Sequence, residues 1–205
     1  MNFGFLLFND LEELDLIGPW EIINVWRKYS NGPDCLTVSQ SAGEITCAKG
    51  LKLVAEYSFE NCPDLDYLLI PGGVGRKKEM HNQTLLQFVS VQSKSCRHIA
   101  SVCTGAFILY HAGLLQQKSA TTHWASLDEL RVLPDLRVEE KRYVRNGNIW
   151  TAAGVSAGID MALAIVAAEA GEEIAGEVQL YAEYYPDQKM YGSSHKDPKA
   201  PAYIK

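Results

Sequence analysis

Cys103 is the residue of this chain best placed for covalent chemistry. It ends an apolar run, Ile99 to Val102, and Thr104, Gly105 and an apolar stretch at helical spacing to Leu115 follow it. That order predicts a strand, a tight turn and a helix, with the cysteine at the corner. A helix N-terminus offers free N–H groups and a positive dipole end, and both favour a thiolate. A nucleophile of lowered pKa is therefore expected at Cys103. Cys35, Cys47, Cys62 and Cys96 have no such setting and read as ordinary reduced thiols. Asp15 closes the acidic stretch "DLEELD", just before Gly18-Pro19. It reads as an acid/base, because a partly buried carboxyl beside a thiol holds its proton longer and can pass it on; a helix cap is the plainer reading. Thr104 offers a hydroxyl and an N–H beside the thiol. Gly72 and Gly73 end "DYLLIPGG", where bare backbone N–H groups can receive developing negative charge. His123, after "ATT", and Trp20 and Trp124 are candidates for the wall of a substrate pocket, with core packing as the alternative for each.

These residues are far apart in sequence, so a fold must gather them. Apolar segments at 2–8, 35–40, 51–56, 66–73, 98–103 and 118–124 read as strands. Helical periodicity marks a helix opening at Gly18-Pro19, where Pro19 suits an early helical position, and helices at 82–94, 104–113, 125–131, 155–171 and 172–184. Asn146-Gly147 predicts a hairpin within 137–154. The alternation predicts an α/β fold: a mainly parallel sheet with helices on both faces. In such sheets ligands bind beyond the carboxyl ends of the strands. Asp15, Gly72-Gly73, Cys103 and Gly154-Val155-Ser156 all follow strands, so the rule brings them to one edge.

The bulk properties exclude several classes. A chain of 205 residues with 47% hydrophobic residues suits one domain, read here as a core over about 3–184 with a loosely packed polar tail at 185–205. The net charge of −6 and the absence of a basic stripe argue against nucleic acid as a partner. No apolar run reaches the ~18 residues that read as a membrane span. The N-terminus lacks a basic region and a cleavage motif, and the cysteines fit no zinc or disulfide spacing, so a cytoplasmic protein with reduced thiols is expected.

Four stretches together, "LLFNDLEELDLIGPWEI", "DYLLIPGG", "ASVCTGAFILYHAGLLQQKSATTHW" and "TAAGVSAGIDMALAIV", resemble the DJ-1/PfpI superfamily over about residues 3–184. Within it, "LD-x-x-GP", "S-V-C-T-G" and "ATTHW" are most similar to the isonitrile-hydrating branch. The resemblance implies a flavodoxin-like three-layer sandwich with a nucleophile-elbow cysteine, a homodimer, and a small-molecule substrate. It implies hydration of R–N≡C to an N-substituted formamide without metal or cofactor. Cys103 would be the nucleophile, Asp15 the acid/base and Thr104 a supporting polar group. PfpI-type proteases carry His directly after the cysteine, where this chain has Thr104. The DJ-1 and glyoxalase-like branch places a Glu in the first loop; Asp15 stands in the matching motif, with Glu12 and Glu13 close by. Similar patterns occur in regulators that add a C-terminal helix-turn-helix domain, which is not expected in a chain ending at 205. Two other readings share the thiol: a glyoxalase- or deglycase-like enzyme acting on small carbonyls, and a redox sensor whose cysteine is oxidised.

Overall fold

The computed structural model describes residues 1–187 and 189–204. In chain order its elements are β1 (Asn2–Leu6), α1 (Glu13–Ser30), β2 (Asp34–Ser39), β3 (Gly43–Thr46), β4 (Lys52–Ala55), β5 (Tyr57–Ser58) and β6 (Tyr67–Ile70). There follow α2 (Arg76–Glu79), α3 (Gln83–Gln92), β7 (His98–Val102), α4 (Gly105–His111), β8 (Lys118–Ala120), α5 (Leu127–Arg131) and β9 (Leu136–Val138). The last are β10 (Tyr143–Asn146), β11 (Ile149–Ala152), α6 (Ala157–Ala170) and α7 (Glu172–Tyr181).

Seven strands form one sheet in the order β10-β11-β7-β6-β1-β2-β5, parallel throughout except for the β10–β11 hairpin. Every residue of β6, β7 and β11 is buried, as expected for central strands covered on both faces. Helices α1, α6 and α7 pack together on one side, and α2, α3 and α4 on the other. This is the flavodoxin-like three-layer α/β sandwich.

Several boundaries differ from the sequence reading. Helix α1 begins at Glu13, so Gly18 and Pro19 lie inside it rather than at its start. Proline has no N–H to give the carbonyl four residues back, here that of Asp15. Packing keeps the helix whole: a Cβ on Gly18 would lie 2.8 Å from Ile159 Cγ1, and one on Gly158 would lie 2.9 Å from Pro19 Cγ. The two helices meet through this close approach, and burial overrides the local stop signal. The strand expected at 51–56 forms as β4 but stays out of the main sheet. It pairs with the unforeseen β3 in a separate ribbon, and the short β5 just beyond it joins the main sheet beside β2. The hairpin is shorter than 137–154, because β9 pairs in parallel with β8 instead. The expected strand at 118–124 stops at Ala120. The tail is not loose throughout: Ala200 and Pro201 are buried, Tyr203 packs against the core, and the Ala202 N–H donates to Glu140 Oε2 at 3.1 Å. Among the described residues no helix is long and apolar enough to cross a membrane.

Candidate active site

The loop after β1 is laced to the loop after β6. The Glu12 N–H donates to the Gly72 carbonyl at 2.9 Å, the Gly75 N–H donates to the Asp10 carbonyl at 3.1 Å, and Leu11 bridges Gly73. This lacing brings Asp15, in the first turn of α1, against the Pro71-Gly72-Gly73 turn. Asp15 is fully buried, and its Oδ2 accepts the Gly72 N–H at 2.9 Å. Glycine is required at 72, since a Cβ there would lie 2.5 Å from the Thr104 nitrogen and 3.0 Å from Asp15 Oδ2. Gly73 has φ +116°, a region that favours glycine.

Cys103 sits between β7 and α4 with φ +56°, left-handed backbone for a residue that has a Cβ. Its N–H is shared between the carbonyls of Ala152 and Ala153 at 3.1 and 3.0 Å, which ties the corner to the end of β11. Its carbonyl accepts the Thr122 hydroxyl at 2.7 Å. A strained conformation held by such bonds is common at functional corners. Val155, across the sheet edge, has φ +44°, a second strained position and a costly one for a β-branched side chain. The N–H groups of Val155 and Thr104 both favour negative charge on the Cys103 sulfur, as does the Thr104 hydroxyl.

The electrostatics depart from expectation. Burial, and then the Asp15 carboxyl, push the Cys103 thiol up to about 12, and the Thr104 and Val155 N–H groups only partly oppose them. The expected low-pKa thiolate is therefore corrected to a protonated thiol. Helix α4 has only seven residues, and the charged group that acts most strongly on the sulfur is an acid, Asp15. Burial raises Asp15 to about 8; Glu12 adds to the rise, while the Gly72 N–H, Cys103 and Lys49 oppose it. Asp15 and Cys103 are close enough to interact, yet no aligned S–H···O bond links them and Asp15 Oδ1 has no partner in the protein. Burial thus favours the protonated form of both groups.

The cleft beside them encloses about 410 Å³ and is lined by Cys103, Thr104, Gly73, His123 and Val155 on its inner side. The N–H groups of Gly72 and Gly73 are already taken, by Asp15 Oδ2 and by Thr104 Oγ1 at 3.1 Å. The expectation that they receive substrate charge is corrected: the N–H groups that face the sulfur belong to Thr104 and Val155. Thr104 meanwhile donates its hydroxyl to the Gly73 carbonyl at 3.3 Å, which braces the corner against the β6 turn. His123 lines the cleft with its Nδ1 accepting the Ala125 N–H at 3.2 Å, and burial lowers its pKa, so the ring is neutral. Trp20 is not at the cleft; it packs edge-on against Phe5 in the core, ring centroids 5.0 Å apart. Trp124 faces the cavity under the C-terminal segment instead. Of the neighbouring acids, Glu12 lines the cleft and pairs with Lys49, while Glu13 accepts the Lys49 N–H at 2.6 Å; neither takes the place of Asp15. Thr122 is the residue the sequence reading passed over, and Val155, placed at this edge with its neighbours Gly154 and Ser156, is given no role of its own there. "ATTH" carried the signal for Thr122, whereas nothing local marks Val155 as left-handed.

Comparison with known proteins agrees with this architecture. The chain is 40% identical to isonitrile hydratase from Pseudomonas putida over 188 residues, 91% of this chain and 79% of that one. It is 25% identical to the HTH-type transcriptional regulator GbdR of Pseudomonas aeruginosa, covering 86% of this chain but 49% of the regulator. The crystal structure of a THiJ/PfpI family protein from Pseudomonas syringae superposes with a TM-score of 0.87 at 33% identity, covering 95% of this chain and 79% of that one. A cysteine on a strained strand-to-helix corner, at the carboxyl edge of a parallel sheet, thus stands within a chain that matches the DJ-1/PfpI family over residues 2–168, and the protein belongs to that family.

Proposed function

We propose that this protein hydrates isonitriles to N-substituted formamides, with Cys103 as nucleophile and Asp15 as proton carrier. The observation that carries the reading is the geometry of the pair: the Cys103 thiol lines the cleft and the Asp15 carboxyl is buried directly behind it, where burial favours the protonated form of each. An isonitrile carbon has to gain a proton and a nucleophile on the same atom, and this pair can supply both. The 40% identity to isonitrile hydratase supports the same reaction class.

The Asp15 carboxylic acid protonates the terminal carbon, and the Cys103 sulfur bonds to it. The thiol proton returns to the Asp15 carboxylate. The product is a thioimidate, R–N=CH–S–Cys103, and the acid is again protonated. Water then adds to the same carbon. Asp15 protonates the nitrogen and takes a proton from the water, leaving R–NH–CH(OH)–S–Cys103. The C–S bond breaks, the hydroxyl gives up its proton, and the formamide leaves with the thiol restored. This is covalent catalysis served by one proton carrier. The Thr104 and Val155 N–H groups stabilise the sulfur whenever it carries negative charge. Thr104 further holds the corner in place through Gly73.

A peroxide sensor requires an accessible, ionised thiol, and the buried, raised thiol of Cys103 disfavours that role. The similarity to the hydratase extends the proposal to a cytoplasmic homodimer acting on a small molecule; sedimentation of the purified protein tests the dimer. The reaction is tested by formamide production from cyclohexyl isocyanide. Wild type should turn over, and Cys103→Ala and Asp15→Asn should lose on the order of 10²-fold or more. Absence of turnover by wild type, or full activity in Cys103→Ala, would overturn it.

A further inference from the structure

The outer wall of the cleft is charged, and its charges can be accounted for one by one. Glu12 is paired with Lys49, which Glu13 also approaches at 3.7 Å from outside the lining. Arg76, only 4% exposed, is held by Glu129 through two of its nitrogens, one at 2.7 Å and the other at 2.5 Å. Its guanidinium also stacks on Phe107, 4.2 Å from the ring centroid. One of its terminal nitrogens also donates to Met80 Sδ at 3.6 Å, so the group is fixed against the cleft with two of its five N–H donors left over. Burial disfavours charge on His123, Asp15 and Cys103 alike. Lys77 is exposed on this wall and, among the described residues, makes no ion pair. Glu129 feels its charge at longer range, but that carboxylate is already held by Arg76. A cleft meant for a purely aliphatic isonitrile has no use for an exposed lysine without a direct contact and a buried, immobilised guanidinium at its mouth.

We propose that the isonitrile this site is built for carries a carboxylate, received by Lys77 with the fixed guanidinium of Arg76 behind it. The inference rests on the hydratase reading and deepens it. The isonitrile carbon lies at the sulfur, and the acidic end reaches the wall formed by α2. A carboxylate gives Lys77 a direct contact without displacing Glu129 from Arg76, and charge-assisted hydrogen bonds to two different cations fix its orientation. The attraction acts at a solvent-facing site, so it weakens as salt is added.

The test compares 3-isocyanopropanoate and 6-isocyanohexanoate with their primary amides, which match them in shape but lack the charge, and with cyclohexyl isocyanide. Wild type should favour the better of the two acids over its amide by about tenfold in kcat/KM, mostly through KM, and the preference should shrink in high salt. Lys77→Arg should keep the preference. Lys77→Glu should lower the acid-to-amide ratio by on the order of tenfold or more, since it replaces attraction by repulsion. Turnover of cyclohexyl isocyanide with no preference for either acid, or a preference that survives Lys77→Glu, would overturn this proposal and leave the hydratase reading standing. Failure to hydrate any of the isonitriles would overturn both.

Discussion

At the scale of single residues, the proposed reaction depends on two protons held where water would remove one. Asp15 has an ordinary pKa near 3.8 when unfolded and about 8 in the fold. Between those values the native state binds more protons than the unfolded chain, so this group lowers stability as pH rises from about 4 to about 8. The cost is complete above that range. It reaches several kcal/mol at most, because each tenfold difference in proton affinity between the folded and unfolded chain is worth about 1.4 kcal/mol. Asp15→Asn should therefore lose less stability than wild type between pH 5 and pH 8.5 in denaturant melts; parallel loss in the two proteins would contradict it. The same proton governs activity. The kcat/KM of wild type should be level below about pH 8 and fall above it as Asp15 ionises. A rate that climbs through pH 8 to 9 would instead indicate an attacking thiolate formed in the resting enzyme. Cys103, raised to about 12, should react with iodoacetamide at pH 7.5 at least about tenfold more slowly than a free cysteine, as read by peptide mapping. Cys103 and Asp15 were legible in sequence because an apolar run broken by Cys-Thr-Gly and an acid before Gly-Pro are local patterns. The direction in which the thiol's pKa moves was not. It depends on how deeply the corner is buried and on which charges face it, and those follow from the fold.

At the scale of elements, three turns set the site and each uses unusual backbone. The β6 turn needs Gly72 because the Thr104 main chain and the Asp15 carboxylate occupy the space of a side chain. Gly72→Ala should cost about 2–4 kcal/mol in stability and most of the activity, since any relaxation pushes α4 away from α1. Chemical denaturation and the formamide assay check this, and an active, stable Gly72→Ala would show that the turn has room. Val155 carries the opposite signal, a β-branched residue at φ +44°. Relief of the left-handed penalty should make Val155→Gly more stable by up to about 1 kcal/mol while lowering kcat, because the N–H that faces the sulfur is then less firmly held. A clear loss of stability would mean that the Val155 side chain, not its backbone, matters there. The glycine turn could be found from "PGG". The commitment of both its N–H groups could not, because their acceptors, Asp15 and Thr104, come from two other elements.

At the scale of the whole molecule, the order of strands and helices was visible in the alternating hydrophobic periodicity, and the topology rule placed the candidate residues at one edge. What escaped was long-range pairing. The β3–β4 ribbon, the β8–β9 pair and the returning C-terminal segment are short or polar stretches whose place is set by distant partners. The last of these has a measurable consequence. Ala200 and Pro201 are buried, and Tyr203 packs on the core cluster that contains Cys103. Removal of residues 199–205 should lower stability by about 1–3 kcal/mol in urea melts, the range of losing a few buried apolar side chains. No change would show that the segment is held too weakly to matter.

The central claim is that Cys103 bonds to the isonitrile carbon with Asp15 supplying the proton. Its most direct test is the intact mass of the enzyme quenched in acid during turnover of cyclohexyl isocyanide. Wild type should gain the mass of one whole substrate molecule, located at Cys103, and Cys103→Ala should show no such species and no turnover. Formamide production at the wild-type rate by Cys103→Ala would contradict it.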